Sequence, residues 1–122
     1  MPSFGAITPI LRTFDEDKAR AFYVGYLGFQ IDFEHRFGDH APLYMGLKLR
    51  LAEFQLSEHH GDATPGARVR IETRDLVGYW RSLDAMDYRY AKPGPPHAQP
   101  WGESDLTIAD PFGNKVTFFE RT

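Results

Sequence analysis

The sequence contains no cysteine, which excludes disulfide bonds, thiolate metal sites and a cysteine nucleophile. No apolar run approaches the ~18 residues that a membrane-spanning helix needs, so no membrane partner is expected. Lysine and arginine form no basic run and the net charge is −3, which argues against a nucleic-acid partner. The first five residues, 1–5, show neither the charged region nor the apolar core of a signal peptide. These absences favour a cytoplasmic protein.

Sequence motifs for common enzymatic chemistry are missing as well. There is no G-x-S-x-G elbow, no phosphate-binding P-loop and no G-x-G-x-x-G fingerprint. The best cluster of metal-ligating residue types is His59-His60-Gly61-Asp62, in a polar segment. A loop could bring these side chains together around a metal ion, but a polar loop with hydrogen-bonded imidazoles is the interpretation that we favour. The sequence therefore predicts no catalytic residue.

Hydrophobic residues make up 42% of the 122 residues, and aromatic residues make up 15%. This composition is typical of a globular chain, and the length suits one domain with one core, spanning 1–122. Most of the aromatic rings must belong to that core. Tyr79 and Trp80 follow the apolar face of a predicted helix, where core is again the favoured interpretation.

One pattern of elements occurs twice along the chain: a strand, a helix opened by an acidic residue, and three further strands. Asp15 and Asp75 begin helices predicted near 15–27 and 75–86, since a carboxylate caps a helix N-terminus and suits its dipole. A polar loop separates halves of about 1–60 and 66–122. The predicted fold is α+β, with two βαβββ repeats.

Alternating or β-branched residues predict the strands. The first, 4–12, contains Pro9, which cannot donate a ladder hydrogen bond and suits a chain that leaves its own sheet. Ile31 and Phe33 alternate with polar residues, as in a half-buried strand. Other strands are predicted around 43–45 and 47–56, with a break at Gly46, and at Val69–Ile71, Tyr88–Tyr90, Leu106–Ile108 and Val116–Glu120, with a loop over 93–102.

The helix and turn residues resemble a known superfamily. Asp15, Phe22-Tyr23 and Leu27-Gly28-Phe29 are similar to the first-half signature of the glyoxalase/bleomycin-resistance/dioxygenase superfamily, also called vicinal-oxygen-chelate proteins. Asp110-Pro111-x-Gly113-Asn114 is similar to its second-half signature, and the resemblance runs from Ile7 to Phe119. It implies curved half-sheets around a groove.

A narrower resemblance is to the bleomycin-resistance proteins. It rests on Pro9-Ile10-Leu11, on Leu27-Gly28-Phe29 with Asp32-Phe33, and on Pro100-Trp101-Gly102 leading into the second-half signature. Those proteins are homodimers that bind the drug in two grooves at the subunit interface and do not alter it. The resemblance implies a homodimer, with the first strand exchanged or packed across subunits near Pro9, and a bleomycin-like antibiotic as ligand.

Metal-dependent enzymes of the superfamily place a histidine in the first strand, a histidine or glutamine at the matching place in the second half, and a glutamate after the final turn. The corresponding positions here are Thr8, Arg68 and Thr117. Neither a hydroxyl nor a guanidinium replaces the imidazole and carboxylate ligands that Zn, Fe or Mn prefer. The resemblance therefore implies no metal and no cofactor.

Candidate ligand contacts follow from the same resemblance. Trp101, in a proline-rich loop, is either a stacking platform for a planar ligand or a plug at the end of the core. Asp32 and Phe33 match groove positions, and the family's next groove aromatic falls at Gly38, beside Phe37. The predicted contacts are Trp101, Phe33, Asp32, Phe37, His60 and Gly102.

The leading hypothesis is a metal-free binding protein that sequesters a planar, cationic or glycosylated antibiotic without modifying it. One alternative is a metal-dependent lyase, isomerase or dioxygenase of the same superfamily whose ligands are displaced to His59 and His60. A third is an interaction or regulatory module that kept the fold and lost the ligand.

Overall fold

The computed structural model describes residues 1–122 as two successive βαβββ units. The first unit contains β1 (Ile10–Arg12), α1 (Glu16–Ala19) continued by a π-helical segment (Arg20–Tyr26), β2 (Gln30–His35), β3 (Tyr44–Leu49) and β4 (Ala52–Ser57). The second contains β5 (Arg68–Glu72), α2 (Leu76–Ala85), β6 (His97–Gln99), β7 (Glu103–Ala109) and β8 (Lys115–Arg121). The α+β prediction is confirmed.

Each unit forms its own open four-stranded sheet. The strand orders are β1-β4-β3-β2 and β5-β8-β7-β6, so the two sheets have the same topology. The first strand of each unit lies at a sheet edge and pairs in parallel with the last strand, while the other pairs are antiparallel. The repeat inferred from the sequence is therefore a repeat of sheet topology.

Both helices begin where the acidic residues predicted. The Asp15 carboxylate accepts a hydrogen bond from the Lys18 amide at 2.9 Å, and Asp75 accepts one from the Gly78 amide at 3.2 Å. The first helix ends at Gly28, whose φ of 90° is a conformation that glycine adopts without strain. None of the helices combines the length and apolar content that crossing a membrane would require.

The first helix differs from the second in its hydrogen bonding. After Ala19 its bonds reach five residues back, as in the bond from the Leu27 amide to the Phe22 carbonyl at 2.9 Å. The wider turn still leaves Phe22, Tyr23 and Tyr26 buried. Their rings belong to one hydrophobic core that contains side chains of both units, including Phe54, Leu83 and Phe118.

The second-half signature joins the two units. Asp110 accepts hydrogen bonds from the Tyr23 hydroxyl at 2.6 Å and from the amides of Phe112 and Asn114, both at 2.8 Å. The Asn114 side-chain amide donates to Asp110 and to the Arg12 carbonyl. Burial, reinforced by the Asp110 carboxylate, raises the pKa of Tyr23, so its phenol stays a neutral donor. The residues of the second-half signature therefore have a structural role, since they join the two units by hydrogen bonds.

The predicted first strand is wrong in extent. Only Ile10–Arg12 pairs with β4, and the residues before it lie outside both sheets. Phe4 and Ile7 expose 95% and 90% of their surfaces. Pro9 keeps one ladder bond, since its carbonyl accepts from the Gln55 amide at 2.9 Å, but it has no amide to continue the pairing. Residues 1–9 form an arm, and all of them except Pro9 are exposed.

The predicted break at Gly46 is also wrong. β3 runs through Gly46, and the chain reverses instead at Arg50 and Leu51, where Arg50 has a φ of 55°. Gly46 is paired with Phe33 on β2, and a methyl group added at Gly46 would overlap with the Phe33 ring. The glycine is thus required by a ring packed on the strand rather than by a turn.

Three further predictions need correction. The predicted strand at Tyr88–Tyr90 is wrong, since these residues lie in a turn region. Tyr88 stacks on Tyr26 of the first helix, with ring centroids 4.6 Å apart, and does not join a sheet. β6 falls inside the predicted loop 93–102. On β2 the register shifts between Ile31 and Phe33, so these residues pair with neighbours on opposite faces of β3 and do not share a face.

Candidate functional site

Each sheet has one face covered by core residues and one open face. On β3, Met45 and Leu47 are buried in the core, so the alternate residues Tyr44, Gly46 and Lys48 belong to the open face. Strand pairing extends that face to neighbouring strands, since paired residues share a side. The open face of the first sheet includes Phe33, Tyr44, Gly46, Lys48, Glu53 and Gln55.

The open face of the first sheet carries a stacked aromatic pair. Phe33 lies over Gly46, and its ring stacks against Tyr44 with centroids 6.0 Å apart and an interplanar angle of 19°. The Tyr44 hydroxyl donates to the side-chain oxygen of Gln55, and burial raises the pKa of this phenol. Phe33 remains 39% exposed. The pair is therefore an ordered aromatic surface that a planar ligand could contact.

A pocket of about 390 Å³ adjoins this pair. Its lining comprises Phe37, Ala41, Pro42, Tyr44, Ser57, His59 and Asp62. Phe37 is 86% exposed and meets His35 edge-on at 4.4 Å. Tyr44 contributes to both features, because it stacks with Phe33 and lines the pocket together with Phe37.

The histidine-rich segment forms part of the rim of this pocket. The Ser57 hydroxyl donates to the Asp62 Oδ2 at 2.6 Å, and the His59 Nδ1 accepts from the Gly61 amide at 3.1 Å. His60 is exposed, stacks on His59 at 5.0 Å and does not line the pocket. His59 and Asp62 approach only to 3.8 Å, and no three His, Asp or Glu side chains in the chain are grouped as a metal site would require.

The three positions at which the superfamily enzymes hold metal have the wrong donors. Thr8 is exposed in the arm, and Arg68 is exposed on β5. Thr117 is buried on β8, where its hydroxyl shares a hydrogen bond with the Thr107 hydroxyl at 2.8 Å. A guanidinium would repel a metal cation, and a hydroxyl bonded to another hydroxyl is a poor ligand. These residues do not fit a catalytic metal.

Trp101 is presented by the second sheet, on the turn between β6 and β7. Gln99 and Glu103 are paired across the turn, and the Gly102 amide donates to the Gln99 carbonyl at 3.3 Å. Gly102 has a φ of 90°, so the glycine is needed for the turn itself. The Trp101 side chain is 65% exposed, which excludes its interpretation as a core plug.

A charged cluster lies beside Trp101 on the open face of the second sheet. Arg70 forms an ion pair with the buried Glu103, and its guanidinium lies 4.2 Å from the Phe119 ring centroid. The hydrogen bond from Arg70, with a contribution from the Trp101 indole, holds the pKa of Glu103 below its ordinary value. Arg121 approaches the same ring at 5.4 Å.

Sequence reasoning missed this cluster. Arg70, Glu103 and Phe119 lie on three different strands, and only the ladder of β5, β8 and β7 brings them together. The only available signal was the alternation of charged and β-branched residues in β5, which also describes an ordinary solvent-exposed strand.

Within one chain the predicted ligand residues do not converge. Phe33 and Phe37 lie on β2 and in the loop after it, whereas Trp101 and Gly102 lie in the turn between β6 and β7 of the second sheet. None of the larger pockets is lined by both sets. Asp32 lies at the irregularity of β2 and is exposed. The structure thus presents two separate aromatic surfaces.

Two βαβββ units with open sheets and a shared core are the arrangement that defines the fold of the vicinal-oxygen-chelate class. The chain belongs to the glyoxalase superfamily, whose family model matches residues 2–122. No curated protein matches this chain.

Solved structures with the same fold include antibiotic-binding proteins. A bleomycin-binding protein complexed with bleomycin is 23% identical, with a TM-score of 0.74, and the match covers 98% of this chain and 100% of that one. A bleomycin resistance determinant encoded on transposon Tn5 is 23% identical, with a TM-score of 0.75 and coverage of 97% and 98%. The antibiotic-binding protein TnmS3 from Streptomyces sp. CB03234 is 20% identical, with a TM-score of 0.72 and coverage of 99% and 100%.

Proposed function

We propose that this protein is a metal-free small-molecule-binding protein of the bleomycin-resistance type, which sequesters a planar, cationic or glycosylated antibiotic without modifying it. The observation that carries the proposal is the exposure of aromatic side chains in the loops beside both sheets. Trp101 and Phe37 expose 65% and 86% of their surfaces in one chain. Burying such rings against a planar ligand removes apolar surface from water and adds stacking energy.

The donor chemistry favours binding over metal-assisted catalysis. Threonine and arginine occupy the three ligand positions, and His59 is hydrogen-bonded to its own loop instead of facing two other ligands. Sequestration requires only affinity, so it does not need a nucleophile, a general base or a metal. The displaced-ligand enzyme has no specific arrangement of side chains in its favour.

A homodimer would bring the two aromatic surfaces together. The arm is exposed apart from Pro9, and Ile7 and Pro9 border a cleft of about 560 Å³ that continues along Leu51, Ala52, Val69 and Ile71. An arm exchanged about a twofold axis would cover apolar surface on both subunits. In such a dimer, Phe33 and Phe37 of one subunit would face Trp101 of the other. Each subunit would be a single domain, 1–122, and the dimer would act in the cytoplasm.

Calorimetric titration with metal-free and copper-bound bleomycin tests the proposal, alongside elemental analysis and sedimentation of the purified protein. We expect saturable binding with one ligand per subunit, recovery of the ligand unchanged, and a dimer at micromolar protein. Chemical conversion of the ligand, or zinc, iron or manganese retained at one ion per chain after dialysis, would overturn the proposed function. A monomer that still binds would overturn only the shared groove.

A further inference from the structure

We propose that the pocket beside Tyr44 is a subsite for an ammonium or similar organic cation, with the Asp62 carboxylate as the counter-charge. The inference deepens the proposed function, because the cation would belong to the ligand held there. It replaces Asp32, the carboxylate expected from the sequence, since Asp32 does not line the pocket.

Aromatic rings and one carboxylate surround the space. Phe37 and Tyr44 line the pocket together with Pro42 and Ala41, and Asp62 is its only acidic residue. A cation is attracted by aromatic faces and by a carboxylate at once, and a partly enclosed site strengthens both terms. The volume of about 390 Å³ lies at the small end of the range for small-molecule sites and is large enough for a substituted amine.

The Asp62 carboxylate has one oxygen free for a ligand. Its Oδ2 accepts from the Ser57 hydroxyl at 2.6 Å, and this bond fixes the carboxylate because Ser57 is fully buried. The Oδ1 accepts no hydrogen bond within the chain. Its nearest basic atom is the His59 Nδ1 at 3.8 Å, which is beyond hydrogen-bond distance, and this nitrogen accepts from the Gly61 amide.

No fixed cation of the protein competes for this oxygen. Arg36, which precedes Phe37 in the loop after β2, donates to Glu16 and to the Ala41 carbonyl. The neighbouring Glu58 carboxylate accepts from the Leu43 amide at 3.2 Å and does not line the pocket. A ligand cation would therefore meet the Asp62 carboxylate, which is fixed by Ser57 and forms no ion pair with a lysine or arginine.

A matched pair of probes tests the assignment at pH 8. Choline and its neutral isostere 3,3-dimethylbutan-1-ol differ only in the charged nitrogen, and NMR chemical-shift titration measures both. We expect choline to shift the resonances of Phe37, Tyr44 and Asp62 saturably, and the alcohol to do so at least about tenfold more weakly, as expected for loss of a charge-assisted contact.

Asp62→Asn keeps an oxygen that can accept from Ser57 but removes the charge. It should weaken choline binding by about tenfold or more, whereas Asp39→Asn, which removes an exposed carboxylate from the neighbouring loop, should leave it unchanged. If Asp62→Asn fails to fold, Phe37→Leu provides the test, with an expected weakening of about two- to fivefold.

Equal binding of choline and the alcohol, no binding of choline, or equal losses in the two aspartate variants would overturn the subsite. Bleomycin titrated in parallel separates the two proposals. Choline binding without bleomycin binding would contradict the proposed function and leave the cation site standing. If bleomycin binds equally well to wild type and to Asp62→Asn, and choline does not bind, the cation site is contradicted and the proposed function stands.

Discussion

The two halves of this protein share one topology and differ in the chemistry of their open faces. In the first sheet the open face presents two stacked neutral rings, Phe33 and Tyr44, together with the exposed Lys48–Glu53 ion pair. In the second sheet it presents a ring covered by guanidinium groups, with Arg70 over Phe119 and bonded to Glu103. Strand order therefore specifies where an open face lies but not what it binds.

The helices show the same contrast. The first helix widens into a π-helical segment and buries three aromatic rings, whereas α2 is regular and leaves Val77 43% exposed. A π-helical turn is uncommon and persists only where packing favours it. Here the rings of the first helix contact both Phe54 in the first sheet and Tyr88 in the second half, which accounts for their complete burial.

The largest expected effect tests whether the halves are stabilised as one unit. Asp110→Ala would leave the Tyr23 hydroxyl, two buried amides and the Asn114 side chain without their shared acceptor. We expect the free energy of unfolding to fall by about 3–5 kcal/mol, measured by urea denaturation.

Asp105→Ala, on the strand β7 that leads to Asp110, is the matched control. Asp105 accepts one side-chain hydrogen bond, from Gln99 at 3.1 Å, so its loss should cost less than about 1 kcal/mol. Similar losses in the two variants would show that the signature does not join the halves.

Trp101→Ala tests the second sheet as a ligand surface. If the indole stacks on a planar ligand, bleomycin affinity should fall by about 5- to 150-fold, from roughly 1–3 kcal/mol of stacking. Because Trp101 is exposed, the melting temperature should change little. Calorimetric titration and thermal melting of the same sample give both values.

Trp80→Ala, at the other tryptophan, is the control in which stability should fall and affinity should not change. Trp80 is half-buried on α2, and its indole donates to the Pro93 carbonyl at 2.9 Å. This variant should lose about 2 kcal/mol of stability and keep its affinity. The ligand-platform role of Trp101 fails if its replacement lowers stability as Trp80→Ala does while affinity is unchanged.

Gly46→Ala sharpens the comparison on the first sheet. The added methyl group would displace the Phe33 ring and disturb its stack on Tyr44, at a cost of about 1 kcal/mol because Phe33 is partly exposed and can move. We expect weaker ligand binding with a nearly intact fold, measured by titration and by far-UV circular dichroism. Unchanged affinity would remove Phe33 from the site.

The smallest effect concerns the charged pair of the second sheet. Arg70 holds the pKa of Glu103 below its ordinary value of 4.5. A carboxylate with a depressed pKa contributes stability above its unfolded value and loses that contribution as the pH falls through the folded value. Wild type should therefore exceed Arg70→Gln in stability near pH 7, and the difference should shrink below about pH 4.5. A difference that is constant with pH would exclude an electrostatic role.

Several elements could be predicted because their signals are local. Asp15 and Asp75 mark both helix starts through a bond to an amide three residues ahead, and this needs no distant partner. Elements whose conformation depends on distant residues were not predictable. Gly46 predicts a strand break, but the strand continues and the glycine makes room for the Phe33 ring. Tyr88 predicts a strand, but its ring stacks on Tyr26 of the first helix.

The sequence alone determined the doubled βαβββ order, the helix caps and the superfamily, because these follow from residue types at fixed spacing along the chain. Only the tertiary structure decided which side chains meet at the open faces. Arg70 and Glu103 are 33 positions apart and still form a hydrogen bond. Tyr44 on β3 and Asp62 in the loop after β4 line the same pocket. Such contacts depend on strand register and on which edge each strand occupies, and these are set by the packing of the whole core.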